Sequence, residues 1–251
     1  MKFWRKKHKS EEKTPAEERK LIKTEGKKLS TGFPRLDQMF EGGLKLGTLN
    51  FVTGEISPTR DRFLSELAIN EIKGRYGVVY VSTDRSGKEI ENRIKIRLKV
   101  SKYVYQLYLN IIDTSSLKLE RRFVPPIRYL MVPNDFTNVD GTIKESLSFL
   151  KEKRTKHQIL IFDSLDGVLR YGRGDARDMM ESVEKVIGRY SAIGFFAIDP
   201  TMHRPELVKP LIEFAASFVT IDASSNTITT VHDKKKMTRR FMMNEFSFVI
   251  Q

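Results

Sequence analysis

The stretch best suited to chemistry is Gly54-Glu55-Ile56-Ser57-Pro58-Thr59-Arg60-Asp61, which follows an apolar run and precedes a segment with helical periodicity. A loop that cradles phosphates at such a junction needs glycines, so that backbone N–H groups converge on the anion. It also needs a Lys for the β/γ-phosphates and a Ser/Thr hydroxyl for Mg²⁺. Gly54 supplies the first glycine, but Thr59 stands at the second, Arg60 at the lysine and Asp61 at the hydroxyl. Pro58 brings no N–H, and β-branched Thr59 resists positive φ. Arg60 keeps the charge without the point-charge geometry of Lys. Asp61 sets a carboxylate where phosphate oxygens would lie, and like charges repel there. A carboxylate near a helix N-terminus is favourable in itself, and Thr59 or Asp61 is placed to cap the following helix. On that reading the protein's own carboxylate takes the phosphate's place.

The elements that would position this stretch follow from periodicity. Leu49–Gly54, Gly77–Thr83, Gln158–Asp163 and Gly194–Asp199 read as strands. Residues 61–73, 89–100, 139–151, 176–189 and 206–216 carry helix-period apolar stripes. The middle strands are continuously apolar, as expected when helices cover both faces. Alternating strands and helices predict an α/β fold with a mostly parallel sheet. Three β-like runs near 217–222, 226–232 and 240–250 predict antiparallel strands added at one edge. Tyr103, Tyr105 and Tyr108 read as core or surface filler, and His203, with no partner triad, is assigned no role.

Composition bounds the function classes. The chain has 251 residues, 45 Lys+Arg against 32 Asp+Glu, and no cysteine. Disulfides and Cys-based zinc sites are therefore excluded, and four scattered His argue against a His-rich metal site. The sequence has no apolar run of about 18 residues, the length a membrane-spanning helix requires. The basic start lacks the apolar stretch of a secretion signal, so a cytoplasmic protein is expected. Residues 1–28 hold eleven Lys/Arg and five Glu, about half of the net +13. So few apolar residues cannot offset ordering entropy. This segment reads as a basic, disordered arm outside a domain at 29–251. Its electrostatics suit nucleic acid, an anionic surface or an acidic partner.

Two segments set a resemblance: Leu29-Ser-Thr-Gly-Phe-Pro-Arg-Leu-Asp37, and Gly42-Gly43-Leu-Lys-Leu-Gly47 leading to Gly54-Glu55. They resemble the opening of the KaiC-like branch of the RecA superfamily of P-loop ATPases. Ile159–Ser164 looks like that family's magnesium-associated strand, Ala215–Ile221 and Phe246–Ile250 like its later strands. The resemblance covers about residues 29–251. It implies a RecA-like sheet with helices on both faces and antiparallel C-terminal edge strands. It also implies ATP and Mg²⁺ at a site formed by Gly54, Arg60, Asp163 and Ser164, with Asp163 as the residue associated with Mg²⁺. The family's glutamate pair, which activates water, is here Asp84-Arg85, leaving Asp84 as the only catalytic candidate. A Lys-x-Arg that reaches a neighbouring subunit's nucleotide corresponds loosely to Lys236, with Thr238 at the Arg position and Arg239 next to it.

With the loop and the glutamate pair both altered, the expected function is a KaiC-like pseudo-ATPase, a regulatory or assembly protein with hydrolysis lost and no cofactor required. A protein partner or a homo-oligomer is expected. The first alternative is a nucleic-acid-binding recombinase paralogue that uses the arm and the basic loop of Arg170, Arg173 and Arg177. The second is an ATP-binding protein with an unusual phosphate loop. Lys235, Lys236 and Arg239 form a second basic cluster, read as a solvated turn between edge strands or as a partner contact.

Overall fold

The computed structural model describes residues 27–98, 102–115, 127–130, 135–153, 155–171, 176–244 and 247–251. Of the expected arm at 1–28, residues 1–26 lie outside them, whereas Lys28 belongs to a strand and so to the domain. Twelve strands are present in the described residues. Lys28–Leu29 (β1) and Leu44–Lys45 (β2) pair as a small ribbon. The other ten form one sheet: Thr48–Thr53 (β3), Gly77–Ser82 (β4), Leu109–Asp113 (β5), Ile127–Leu130 (β6), Gln158–Phe162 (β7), Ile193–Ile198 (β8), Ala215–Asp222 (β9), Thr227–His232 (β10), Lys235–Met243 (β11) and Phe248–Ile250 (β12). The strand order is β12-β11-β10-β9-β3-β8-β7-β4-β5-β6. Pairing is parallel from β9 through β6 and antiparallel from β9 out to β12. The predicted mostly parallel sheet with an antiparallel C-terminal edge is therefore present.

Helices Pro34–Met39 (α1), Pro58–Lys73 (α2), Gly87–Leu98 (α3) and Lys102–Tyr108 (α4) precede β6 in the chain, and Val139–Glu152 (α5), Asp166–Tyr171 (α6), Ala176–Tyr190 (α7) and Pro205–Ile212 (α8) follow it. The strands' period of two sorts their side chains between two cores. On β4, Val78 and Tyr80 join Phe63, Leu67 and Ile94 from α2 and α3. Val79 and Val81 join Ile143, Leu147 and Val183 from α5 and α7. Strands β4, β5, β7 and β8 thus bury both faces, which is why β7 and β8 read as unbroken apolar runs.

Several boundaries differ from the sequence expectation. Helix α8 ends at Ile212, and Ala215-Ala216 begin β9 rather than closing the helix. Tyr105 and Tyr108 lie on α4, and buried Tyr105 donates its hydroxyl to Glu91 at 2.8 Å. The segment Lys235–Arg240 is not a turn but the heart of β11. The turn is Asp233-Lys234, both at positive φ, the backbone twist a two-residue hairpin favours.

The Thr31–Asp37 segment packs the chain's start against the sheet. Asp37 accepts bonds from the Thr31 N–H and hydroxyl, each at 2.7 Å, and from the Ser30 hydroxyl at 2.5 Å. Phe33 stacks on Phe63 of α2 and meets Phe248 of β12 edge-on. Gly43, at φ +112, passes so close to Leu29 that a Cβ would lie 2.2 Å from its carbonyl oxygen. Only glycine tolerates both that conformation and that contact.

Candidate functional site

The loops leaving the carboxyl ends of β3, β4, β7 and β8 converge, where ligands of open α/β sheets bind. Gly54 follows β3 at φ +141, and a Cβ there would come within 2.3 Å of the Ile221 carbonyl oxygen. The loop reaches α2 at Pro58, three residues before the periodicity starts. The cap is Ser57, whose hydroxyl accepts the Arg60 N–H at 3.3 Å, and not Thr59 or Asp61. Pro58 occupies the first helical position, where its missing N–H costs nothing within the helix. Thr59 is not among the residues at positive φ.

Arg60 does not project outwards. It is 1% exposed, and its Nη1 donates back to the Gly54 carbonyl at 3.1 Å. The same nitrogen lies 3.5 Å from Asp166 Oδ2. Its Nε and Nη2 have no hydrogen-bond partner among the described residues. The cation that would serve a phosphate is thus folded under its own loop.

Asp61 is engaged as well. Its Oδ2 accepts from Arg85 Nε at 3.0 Å and Nη2 at 2.6 Å, and from Arg93 Nη1 at 3.3 Å. Both arginines also reach Glu89 Oε1, at 3.0 and 2.9 Å. The Arg85 carbonyl accepts from the Ser82 hydroxyl at 2.5 Å and from the Ser115 hydroxyl, which pins the turn that presents it. The two departures noted in the sequence, Asp61 in the loop and Arg85 after β4, are therefore partners in one ion-pair network.

Behind them, Asp163 is buried at the end of β7 and accepts the Thr83 N–H and hydroxyl at 2.8 and 2.7 Å. Burial, then the charge of Asp84, pushes its carboxyl up to about 7, against the opposing Thr83 bonds. Desolvation also raises Asp84, while the charge of Arg60 opposes the rise. Ser164 and Asp163 are adjacent, but Ser164 turns its hydroxyl to Asp166 at 2.8 Å.

Asp166 is the residue sequence reasoning missed. Besides Ser164 and Arg60, it accepts the Asp199 N–H at 3.1 Å and bonds His203 Nε2 at 2.8 Å. The His203 side chain is 4% exposed, so it is a buried structural partner and not an idle surface histidine. Its partner is 37 residues away in sequence, and no local pattern signals the pair.

Beside the loop lies a cavity of about 390 Å³ lined by Thr53, Glu55, Ser57, Asp199, Thr201 and Asp222, among others. Its three carboxylates make it unwelcoming to phosphate. Bonds from Ser224 and Ser225 hold Asp222 down at about 2. No group of three or more His, Asp or Glu among the described residues is arranged to hold a metal.

The basic residues do not form one patch. Arg170 lies on α6 after β7, with Nη2 3.3 Å from Met202 Sδ, and exposed Arg177 lies at the start of α7. Arg173 is outside the described residues. Lys235, Lys236 and Arg239 lie exposed on β11, with Lys235 paired to Glu41. Strand β11 is five places from β7 in the sheet, roughly 24 Å at about 4.8 Å per strand.

A family model described as a family of unknown function (DUF7090) matches residues 75–231. No curated protein matches the sequence. Among solved structures, a KaiC-like protein from the hyperthermophilic archaeon Pyrococcus horikoshii OT3 superposes with a TM-score of 0.65 at 14% identity, over 90% of this chain and 99% of that one. The flagellar accessory protein FlaH from Methanocaldococcus jannaschii superposes with a TM-score of 0.61 at 16% identity, over 87% of this chain and 96% of that one. These likenesses show a RecA-like fold. Among the described residues, no helix is long and apolar enough to cross a membrane.

Proposed function

We propose, for a chain that belongs to DUF7090, a family of unknown function, that it is a pseudo-ATPase: a RecA-like domain with a degenerate phosphate loop, serving a protein partner as a regulatory or assembly subunit. The observation that carries this reading is the pairing of Asp61 with Arg85 and Arg93. In a working site of this kind, a neutral hydroxyl and an acid would face the metal and the attacking water. Here a carboxylate and a guanidinium occupy those two positions and neutralise each other.

The residues present do not fit Mg·ATP. A phosphate entering beside Asp61 would meet a carboxylate already bound to two arginines, and the exchange would break three charge-assisted bonds. Arg60 is unable to swing outwards without abandoning Gly54 and leaving Asp166 buried without its cation, a change that costs several kcal/mol. Asp163 sits behind this network with its Oδ1 already taken by the Thr83 N–H and hydroxyl. Asp84 lacks the paired acid that would help it act as a base. Each feature works against hydrolysis by a separate route.

Isothermal titration calorimetry with ATP, with and without Mg²⁺, and a phosphate-release assay test the proposal. The expected result is no saturable binding up to millimolar nucleotide and no turnover. Micromolar binding of Mg·ATP with turnover abolished by Asp163→Ala would refute it.

A further inference from the structure

The basic residues of β11 lie on a strand whose outer side is largely open. Strand β12 pairs only with Phe241–Met243, and beyond it the Gln251 N–H reaches the Arg240 carbonyl at 2.9 Å. From Arg239 back to Lys235, no strand pairs with that side among the described residues. Two bonds fix which backbone groups look outward. Phe241 donates its N–H to the Asn226 carbonyl just before β10, whereas the Arg240 carbonyl points to the β12 side. Successive residues of an antiparallel strand alternate in this respect, so Thr238 and Lys236 turn both N–H and C=O outward. The open edge from Lys235 to Arg239 is about 14 Å long, at about 3.4 Å per residue, the length of a short strand.

The side chains along this edge are cationic. Strands β10, β11 and β12 contain no Asp or Glu. Lys235 is paired with Glu41, but Lys236, Arg239 and Arg240 are exposed, with no ion pair or side-chain hydrogen bond among the described residues. Lys236, Thr238 and Arg240 share one face of the strand; Lys235, Met237 and Arg239 share the other, where Met237 packs against the core. An edge with open donors and acceptors is a template for another strand. Lysines and arginines on it repel a second copy of the same edge, because like charges directly opposite are destabilising. The same charges admit an acidic strand.

We infer that the open edge of β11 binds an acidic, extended segment of a protein partner as an added antiparallel strand. Antiparallel addition continues the direction in which β12 already runs. The cations set the register. Counted from opposite Arg239 towards Lys235, the segment carries an acid against Arg239, an acid opposite Thr238 and between Arg240 and Lys236, an apolar residue against Met237, and an acid against Lys236. Its second and fourth residues exchange backbone bonds with Thr238 and Lys236. Nucleic acid would use the cations, but its phosphates bring no donor to the Thr238 and Lys236 carbonyls. The inference rests on the reading of this chain as a subunit that serves a protein partner. The titration below needs no nucleotide, so its failure and the appearance of ATP turnover are distinguishable.

The test uses the full chain in 150 mM NaCl and an acetylated peptide, Glu-Glu-Val-Glu-Thr, with fluorescein on a Gly-Ser spacer at its carboxyl end. The control is the same peptide N-methylated at its second and fourth residues, which keeps every charge and removes the two amides that face β11. Fluorescence anisotropy is expected to show saturable binding at least tenfold tighter for the unmethylated peptide. Thr238→Pro, which deletes an outward N–H, and, separately, Lys236→Glu combined with Arg239→Glu each weaken binding at least tenfold, while circular dichroism stays native. If Thr238→Pro does not fold, the methylated peptide tests the same bonds from the ligand's side. Equal affinity for the methylated peptide overturns the proposal, as does no saturable binding up to 2 mM. A 20-nucleotide single strand that displaces the peptide and binds Thr238→Pro as tightly as the native chain overturns it in favour of nucleic acid.

Discussion

Replacing Asp163 with asparagine should stabilise this protein, and by an amount that grows with pH. The side chain is 6% exposed at the end of β7 and is held by Thr83 through Oδ1, an acceptor that asparagine keeps. Burial and Asp84 raise its carboxyl from 3.8 to about 7. The folded state therefore binds this proton more tightly than the unfolded chain. That contribution is fully present below pH 3.8 and is lost as pH rises through about 7. Three pKa steps at about 1.36 kcal/mol each set a ceiling of about 4 kcal/mol. Urea denaturation of both proteins from pH 4 to 8.5 reads the difference directly. The asparagine variant should gain on the native protein by up to about 1.4 kcal/mol per pH unit between 4 and 7, then level off. A difference that stays flat with pH would refute the argument. So would stabilisation of the native protein, but not the variant, by 10 mM Mg²⁺, because that would make Asp163 a working metal ligand.

Two further outcomes follow from buried polar groups. Glu71 on α2 is 2% exposed, has an Oε2 without a hydrogen bond among the described residues, and is raised to about 8 by burial and the charge of Asp37. The native protein loses stability as pH climbs from 4.5 towards 8, so Glu71→Gln should gain up to about 3 kcal/mol at pH 7 and almost nothing at pH 4; parallel thermal melts at the two pH values check it. Tyr105→Phe removes the hydroxyl that Glu91, itself 4% exposed, accepts at 2.8 Å. Leaving that acceptor short of a donor should cost about 1–3 kcal/mol in a urea titration at pH 7, and equal stability of the two proteins would count against the bond.

Much of this molecule was readable before its structure. The alternation of apolar runs with helical stripes announced the parallel sheet, because continuous apolarity over five residues, as in β7, leaves few other environments. The unusual residues of the loop were visible one by one in Pro58, Thr59, Arg60 and Asp61. The cap was misplaced because Ser57 precedes the periodic stripe, and Pro58 at the first helical position masks the start. The reach of β11 was missed because Lys235–Arg240 offers a single apolar residue, Met237, and so no alternating pattern: an exposed edge-proximal strand needs little apolar patterning, and only the register with β10 reveals it.

The sequence alone determined which groups stand at the loop and that they depart from phosphate-binding chemistry, since residue type decides charge, N–H count and branching. It also set the fold class, through the period of its apolar residues. Only the tertiary structure decided where those groups point. Asp61 meets Arg85 across 24 residues and Arg93 across 32, Arg60 turns beneath its own loop to Asp166, and His203 finds Asp166 from 37 residues away. Such pairs arise because parallel strands deliver distant loops to one end of a sheet. Their geometry belongs to the packing of β3, β4, β7 and β8, and no local pattern of residues carries it.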